Sequence, residues 1–305
     1  MPSLFVATGG AGLYRSDDLG SSWTRDSGVP ASARLRSLWS GAGQLLVGGE
    51  GRVFRRSAGQ WRELALPSAT AEVWAACALE GVLLAGTDPV GLWRSDDAGA
   101  TWEHVRFSPA GAPAVQPSAR ITHLLPNPNV TGEVWAAVEV GGVFASGDGG
   151  RVWGAANDSI PSLDVHALAW CSGAVLVAAM PTGIATWRSA RWFAGVFGPG
   201  DRYCRSLASR WDAPGTLYCA FGDGPNGSRG GVAVSTDGAR SWQACPFPDT
   251  VGGAIWSVAA AAEPPGLVVA CSLSGKVFVS PDGGEGWTLA LDCGAPARAV
   301  ACTVD

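Results

Sequence analysis

The sequence predicts an all-β fold, a closed ring of seven four-stranded blades, from three observations. A sequence motif with the residue types of a tight turn recurs along the whole chain, and each interval between its copies is predicted to form four short strands. The two ends of the chain each supply the strands that the other lacks for a complete blade. Repetition of one structural unit at intervals of about 40 to 50 residues is typical of propellers, solenoids and arrays. We therefore expect a single domain over residues 1–305, a seven-bladed β-propeller.

The recurring word is S-x-D-x-G-x-x-W, and its residue types are those of a tight turn. An Asp side chain accepts hydrogen bonds from nearby backbone N–H groups, Gly adopts positive φ without strain, and Trp anchors the strand that leaves the turn. Ala239 takes the Gly place in the fourth full copy. The full copies cover residues 16–23, 95–102, 146–153, 235–242 and 280–287, and shorter copies cover 57–61 and 189–192.

Each interval between copies contains apolar runs of strand length. The second interval, for example, reads E-V-W-A-A-C-A, V-L-L-A-G-T, V-G-L-W-R-S and, after its turn, T-W-E-H-V-R. The C-terminal P-A-R-A-V-A-C-T-V matches an inner strand that nothing follows, and the N-terminal L-F-V-A-T begins a blade that has no inner strand. Pairing of the two ends would complete the seventh blade and leave no open sheet edge.

Composition excludes several classes of function. The net charge of −5 argues against a nucleic-acid surface, and no apolar run is long enough to span a membrane. The N-terminus has no basic region followed by an apolar stretch, so we expect no signal peptide and a cytoplasmic location. The eight cysteines lie mostly inside strand-like runs and no C-x-x-C occurs, which favours buried free thiols over disulfides or a zinc motif.

The repeated word resembles the Asp-box, or bacterial neuraminidase repeat, of sialidases, sortilin receptors, xyloglucanases and photosystem II assembly factors. The resemblance covers the whole chain and implies a propeller in which the box is structural and lies away from the functional face. Among these families, the chain most resembles the single seven-bladed propellers of the assembly-factor type, which bind protein segments. A sialidase reading conflicts with the missing R-I-P motif, with the blade count of seven rather than six, and with the absence of a recognisable Tyr–Glu pair.

Strand order places the start of every inner strand at the channel mouth opposite the boxes. Alignment of the seven inner strands by their apolar pattern gives one equivalent position per blade, and a purely structural position would not select charged and aromatic residues there. The loops over residues 107–119 and 221–230 could cover this mouth. The predicted ring consists of Arg36, Trp74, His123, His166, Arg205, Trp256 and Arg298.

These residue types indicate a ligand site. The arginines would bind a carboxylate or phosphate, Trp74 and Trp256 would form flat apolar walls, and His123 with His166 would act as acid and base. The competing interpretation is a water-filled channel whose arginines pair with neighbouring carboxylates. No cofactor is predicted, and no metal, because only two His converge and His104 should lie at the rim. Residues two positions before the ring could assist: Glu72, Asp164 and Tyr203.

Three functions remain open on this basis. The preferred one is a cytoplasmic enzyme that binds a small anionic molecule, aromatic in the favoured case, and acts by acid–base chemistry as a lyase, cyclase or hydrolase. The alternative is a non-catalytic scaffold that binds a protein or peptide partner. A glycosidase of the sialidase type ranks third. Nucleic acid and membrane are excluded as partners.

Overall fold

The computed structural model describes residues 2–107, 119–171, 175–248 and 251–304. Within these ranges the chain forms seven antiparallel sheets of four strands each, and the inner strands of successive blades contact one another around a closed circle. The predicted all-β, seven-bladed propeller is confirmed.

The blades follow one another along the chain, and in each the strands run outward from a central channel. Their bounds in blades one to three are Leu35–Gly41, Gln44–Gly49, Arg52–Ser57 and Gln60–Ala65; Glu72–Leu79, Val82–Asp88, Gly91–Ser95 and Glu103–Val105; Arg120–Pro126, Val134–Glu139, Gly142–Ser146 and Gly154–Ala155. In blades four to six they are Ala167–Cys171, Val175–Met180, Gly183–Arg188 and Arg191–Ala194; Tyr203–Ser209, Leu217–Gly222, Gly230–Ser235 and Gln243–Ala244; Ile255–Ala260, Val268–Ser272, Lys276–Ser280 and Thr288–Asp292. Blade seven combines Ala297–Val304 with Pro2–Thr8, Leu13–Ser16 and Thr24–Arg25.

Blade seven closes the ring as predicted. Its inner strand, Ala297–Val304, pairs antiparallel with Pro2–Thr8, in a register that sets Pro2 opposite Val304 and Val6 opposite Val300. Every residue of Pro2–Thr8 is buried. The two ends of the described chain therefore share one sheet, and the ring has no open strand edge at this point.

The core is divided among the interfaces between neighbouring blades. Seven apolar clusters are formed by the described residues, and each lies between two adjacent sheets. Between blades two and three, for example, Leu84, Ile121 and Phe144 are almost fully buried. Burial of such a side chain contributes about 1.5–3 kcal/mol, so stability accumulates blade by blade around the ring.

The five full copies of the repeated word form the same hydrogen-bonded turn. In blade two the Ser95 hydroxyl donates to Asp97 at 2.8 Å and accepts from the Gly99 N–H at 2.8 Å, while Asp97 accepts from the Thr101 N–H at 2.8 Å. The hydroxyl and backbone N–H of Thr101, with the Ser95 hydroxyl, lower the pKa of Asp97 to about 2. Both oxygens of the Asp97 carboxylate thus accept hydrogen bonds from within the turn, which is consistent with a structural role.

These turns also tie blade two to blade three and blade five to blade six. The side chain of Arg94 is buried, and its Nε donates to the carbonyl oxygen of Gly149, in the turn of the following blade, at 2.8 Å. The same guanidinium pairs with Asp96, which Arg151 of the following turn also contacts at 3.3 Å. The Tyr218 hydroxyl makes the corresponding link to the carbonyl oxygen of Gly283 at 2.9 Å. Hydrogen bonds from one blade to the turn of the next therefore brace the box face at these two interfaces.

The cysteine prediction holds for the thiols at the centres of the sheets. Cys77, Cys219 and Cys271 are free and buried, and burial raises the pKa of each thiol. Within the described ranges, no helix has both the length and the apolar character that crossing a membrane would require.

Candidate functional site

In six of the seven blades a β-bulge near the start of the inner strand aims one residue at the channel mouth opposite the boxes, and in blade four the equivalent residue lies just before the inner strand. In blade one Leu35 pairs with Gly49 and Ser37 with Gly48, which leaves Arg36 as the extra residue. In blade four Ala167 pairs with Ala179, whose carbonyl also accepts the His166 N–H, so His166 takes the equivalent place. Bulges re-aim side chains in this way. The bulge ring consists of Arg36, Trp74, Thr122, His166, Arg205, Trp256 and Arg298.

The bulge ring agrees with the predicted ring in six blades and corrects it in blade three. The skipped residue there is Thr122, because Ile121 pairs with Val138 and His123 with Ala137. His123 lies one position further along, where its Nδ1 accepts the N–H of Leu168 in blade four at 3.1 Å. Burial lowers its pKa to about 4. The prediction that His123 belongs to the ring is therefore wrong: it is a neutral hydrogen-bond acceptor between two blades.

Two tryptophans of the bulge ring are each flanked by two arginines. The guanidinium of Arg120 lies 4.2 Å from the centroid of the Trp74 ring and that of Arg36 lies 5.5 Å from it. The guanidinium groups of Arg205 and Arg298 lie 4.2 Å and 5.9 Å from the centroid of the Trp256 ring. Such cation–π contacts contribute about 0.5–2 kcal/mol each and hold the indole planes in place. Both tryptophans are half-buried, so part of each remains accessible from the mouth.

Most arginines at this mouth are paired with carboxylates. Arg36 donates from Nε and Nη2 to the two oxygens of Glu72, at 2.9 and 2.7 Å. Glu72 also accepts the Trp74 Nε1–H at 3.2 Å. Burial favours the neutral acid, but the bonds from Arg36 outweigh it and hold the pKa of Glu72 below its ordinary value. This pair matches the competing interpretation of the sequence, in which ring arginines are neutralised by neighbours.

A second ion-pair network joins blades two, three and five. Arg120 donates from Nε to Glu139 at 2.8 Å and from Nη1 to Asp88 at 3.3 Å, and Arg205 approaches Glu139 at 3.6 Å. Burial opposes ionisation of Glu139, yet the bonds from Arg120 and the charge of Arg205 keep its pKa below the ordinary value. The side chain of Arg205 is only 7% exposed, and burial lowers its pKa.

Arg298 is the exception in the bulge ring. Within residues 2–107, 119–171, 175–248 and 251–304, no carboxylate pairs with it, and its buried Nε has no hydrogen-bond partner. Burial lowers its pKa first, and the neighbouring charges of Arg36 and Arg205 lower it further. A buried donor without a partner costs about 1–3 kcal/mol, more for a charged group. Arg298 is therefore the cation at this mouth that an incoming anion would stabilise most.

The acidic side of the mouth surrounds His166. Its side chain is 1% exposed, Nδ1 lies 2.7 Å from the Cys204 carbonyl oxygen, and Nε2 lies 3.4 Å from Asp164. Because a carbonyl oxygen only accepts, Nδ1 carries the proton. The Tyr203 ring packs on the imidazole with centroids 4.9 Å apart, and burial raises the Tyr203 pKa. The structure thus brings together Asp164, His166, Tyr203 and Glu139.

Behind the bulge ring the channel becomes apolar. All seven inner strands line a cavity of about 620 Å³, which includes Leu168, Leu207 and Val258 of the layer below the ring. At its far end, on the face of the boxes, lie Trp170 and Trp211, and Trp211 is 60% exposed. The channel therefore has one charged mouth and one aromatic mouth.

The prediction that two loops cover the charged mouth is not confirmed by the described residues. Residues 221–230 fold on themselves, since the Arg229 N–H donates to Asp223 at 3.1 Å and its guanidinium pairs with Asp201 at 3.3 Å. These residues are not among those that line the channel cavity. Of the other predicted loop, 107–119, residues 108–118 lie outside the described residues.

Sequence reasoning missed Arg120 and the role of Glu139. Arg120 stands two residues before Thr122, the place that Glu72, Asp164 and Tyr203 occupy in their blades, but the shifted alignment of blade three hid it. Glu139, the last residue of the second strand of blade three, was not among the predicted site residues. The signal that could have found both is the bulge position, read with Thr122 rather than His123 as its occupant.

Comparison with known proteins identifies the fold and no family. No protein-family model and no curated protein sequence matches the chain. The structure is similar to YCF48 from Cyanidioschyzon merolae, with a TM-score of 0.62 at 15% identity over 87% of each chain. It is also similar to YCF48 bound to a D1 peptide, with a TM-score of 0.59 at 16% identity over 86% of this chain and 82% of that one.

A further solved structure of the same fold is the computationally designed Ika8 protein. The TM-score is 0.63 at 14% identity, over 97% of this chain and 86% of the designed one. At identities this low the likeness shows the propeller fold alone, and function depends on the site.

Proposed function

We propose that this propeller is a non-catalytic scaffold that binds an extended, carboxylate-bearing segment of a partner protein across the charged mouth of its channel. The observation that carries the proposal is the bulge ring itself, in which Arg298 has no carboxylate partner among the described residues while Trp74 and Trp256 are held in place by flanking arginines. Trp and Arg at the centre of a binding face are the residue types that dominate protein–protein affinity.

The ion pairs favour this function over catalysis. Arg36 and Arg120 are neutralised by Glu72 and Glu139, so they contribute rigidity more than free charge. The Nδ1 of His123 accepts the Leu168 N–H, which weighs against the acid–base pair of the enzyme prediction. The two indoles, set in different blades, give an extended segment separate points of contact. The structural neighbour YCF48 is described as bound to a D1 peptide, which supports a protein partner by analogy of fold.

The box resemblance and a reducing location are part of the same proposal. The turn hydrogen bonds around Asp97 and its counterparts support an Asp-box type of propeller. The buried free thiols at Cys77 and Cys271 suit a compartment in which cysteines stay reduced, consistent with the cytoplasm.

A second candidate function is the binding of a small anionic molecule inside the channel. It is favoured by the cavity of about 620 Å³, which places an apolar layer directly behind Arg298 and Trp256. Pockets for drug-sized ligands have this volume and this mixture of apolar walls with few polar groups.

One experiment separates the two candidates. Random peptides displayed on phage are selected on the immobilised full chain, and the affinity of enriched peptides is measured by fluorescence anisotropy. We expect Arg298→Gln to weaken binding of acidic peptides at least about tenfold, about 1.4 kcal/mol, because the bidentate contact to a carboxylate is lost.

The matched control is Arg151→Gln, which removes an exposed arginine from the opposite face and should leave affinity unchanged. Peptides that bind both variants like the unmodified chain would refute a site at this mouth. If no peptide is enriched but a panel of aromatic carboxylates raises the melting temperature in an Arg298-dependent way, the small-ligand function replaces the scaffold.

A further inference from the structure

Glu139, Asp164 and His166 bring one ligand atom each to a common point at the charged mouth. The three atoms, one from each side chain, lie within 4.8 Å of one another. Asp164 and His166 lie two residues apart in the segment that leads into the inner strand Ala167–Cys171 of blade four, and Glu139 is the last residue of the second strand of blade three. The propeller brings Glu139 to the other two residues, which are close together in the sequence.

The tautomer of His166 aims a lone pair at the carboxylates. Because Nδ1 donates to the Cys204 carbonyl oxygen at 2.7 Å, the neutral imidazole presents Nε2 as an acceptor, 3.4 Å from Asp164. The acceptor therefore faces another acceptor, an arrangement that repels unless a cation or a proton lies between them. A histidine that donates Nδ1–H to a backbone carbonyl and offers Nε2 is the usual arrangement of a metal ligand.

In the part of the chain that the structure describes, the Asp164 oxygen that points toward His166 also lacks a cation or a hydrogen-bond donor as its partner. This Oδ1 is buried and has no hydrogen-bond donor among the described residues. An ionised oxygen without a donor is costly to bury, so it requires a positive partner. The separation of 3.4 Å between Oδ1 and Nε2 equals the edge of a tetrahedron with metal–ligand bonds of about 2.1 Å.

Glu139 can serve as a third ligand while it keeps its arginine. Arg120 occupies one lone pair on each carboxylate oxygen, and each oxygen has a second. Arg120 would then orient the ligand, as outer hydrogen bonds do in metal sites. Because the three atoms lie within 4.8 Å of one another, reaching the tetrahedral edge of about 3.4 Å requires a movement of at most about 1.4 Å, within the reach of a Glu side chain.

We propose that Glu139, Asp164 and His166 bind a divalent transition-metal ion, with Zn²⁺ the best match. The imidazole nitrogen selects against Mg²⁺ and Ca²⁺, which prefer all-oxygen sites, and two carboxylates with one imidazole suit Zn²⁺. A fourth position would open toward the channel. The site is independent of the peptide-binding proposal, since Arg298 and Trp256 take no part in it.

The test uses the full chain after dialysis against a chelator. Isothermal titration with ZnCl₂ should show one binding site, and MgCl₂ should show none. We expect His166→Gln and Asp164→Asn each to weaken Zn²⁺ binding at least about tenfold, because each removes one of three ligands.

The controls are His104→Gln, at an exposed position on an outer strand, and His123→Gln, and both should bind Zn²⁺ like the unmodified chain. Thermal unfolding without metal checks that each variant folds, and Glu139→Gln provides a third ligand variant if one does not. Absence of Zn²⁺ binding by the unmodified chain, or binding that persists in His166→Gln and Asp164→Asn, would overturn the proposal. A cobalt(II) absorption spectrum of tetrahedral type that disappears in His166→Gln would support it independently.

Discussion

The two faces of this propeller use repetition in opposite ways. On the box face, the five full turns share the same Ser–Asp hydrogen bond, and the turns of blades one and four are shorter copies without the Asp. On the opposite face, one backbone position recurs in every blade, but its occupants are three arginines, two tryptophans, a histidine and a threonine. Repeated side chains therefore mark what holds the fold, and a repeated backbone position with divergent side chains marks the proposed binding face.

A substitution in one of the box turns should have the largest effect on the free energy of unfolding. Gly99 has φ of +88°, and a Cβ there would lie 2.5 Å from Leu64 Cδ1 of the preceding blade. Gly99→Ala should lower the free energy of unfolding by about 2–4 kcal/mol, the sum of backbone strain and overpacking. Denaturant unfolding at neutral pH measures it.

Gly81→Ala is the matched control, since Gly81 has φ of +76° in the same blade and open space around it. It should lose only the backbone term, about 1–2 kcal/mol. Equal losses for the two variants would show that the box glycine is not required for packing between blades.

The stabilising contributions of His123 and of Asp97 on the box face should decline over different pH ranges. The pKa of His123 falls from 6.5 in the unfolded chain to about 4 in the fold because of burial, so the folded state binds this proton less readily. Its contribution is complete above pH 6.5 and declines as the pH falls toward 4, by up to about 3 kcal/mol. The pKa of Asp97 is lowered instead, from 3.8 to about 2, so its contribution declines only below pH 4.

Thermal unfolding between pH 7 and pH 4 tests this difference. His123→Gln should flatten the decline, because Gln can still accept the Leu168 N–H and carries no titrating group. His104→Gln should leave the decline in place. A slope that is unaffected by His123→Gln would contradict a neutral His123 between the blades.

The smallest effect is expected where a box departs from its pattern. Ala239 holds the Gly place with φ of 65° and is buried. Ala239→Gly relieves about 1–2 kcal/mol of strain but loses a buried methyl and adds freedom to the unfolded chain, and these terms nearly cancel. The unfolding free energy should change by less than about 1 kcal/mol, whereas a loss above about 2 kcal/mol would show that this interface has been rebuilt around the methyl group.

The fold was predictable because each blade repeats the same local signals. Strand order, blade count and closure follow from the box word and from apolar runs that agree at every level. The bulge ring was predictable in six blades. It failed in blade three because Leu124 and Leu125 are both apolar, so the pattern fits two registers that differ by one residue, and a shift of one exchanges the faces of a strand.

The ion pairs and the candidate metal ligands were not predictable in the same way. Arg120 contacts Asp88 and Glu139, which lie 32 and 19 residues away in the sequence on separate strands. Arg120 and Glu139 face each other in the strand register of blade three, and the packing of blade two against blade three brings Asp88 close to them. The residue types in these pairs are common ones, and the sequence alone did not show which of them lie close together in space.

The pairing of Pro2–Thr8 with Ala297–Val304 has a consequence for synthesis. The first strand leaves the ribosome almost a whole chain length before its inner neighbour exists. Until then Pro2–Thr8 is an apolar strand with one unpaired edge, and the strands of other incomplete blades can pair with that edge. Closure of the ring is therefore a non-local event that requires Ala297–Val304, and non-local strand pairing is slow and leaves unpaired strand edges exposed to aggregation until it is complete.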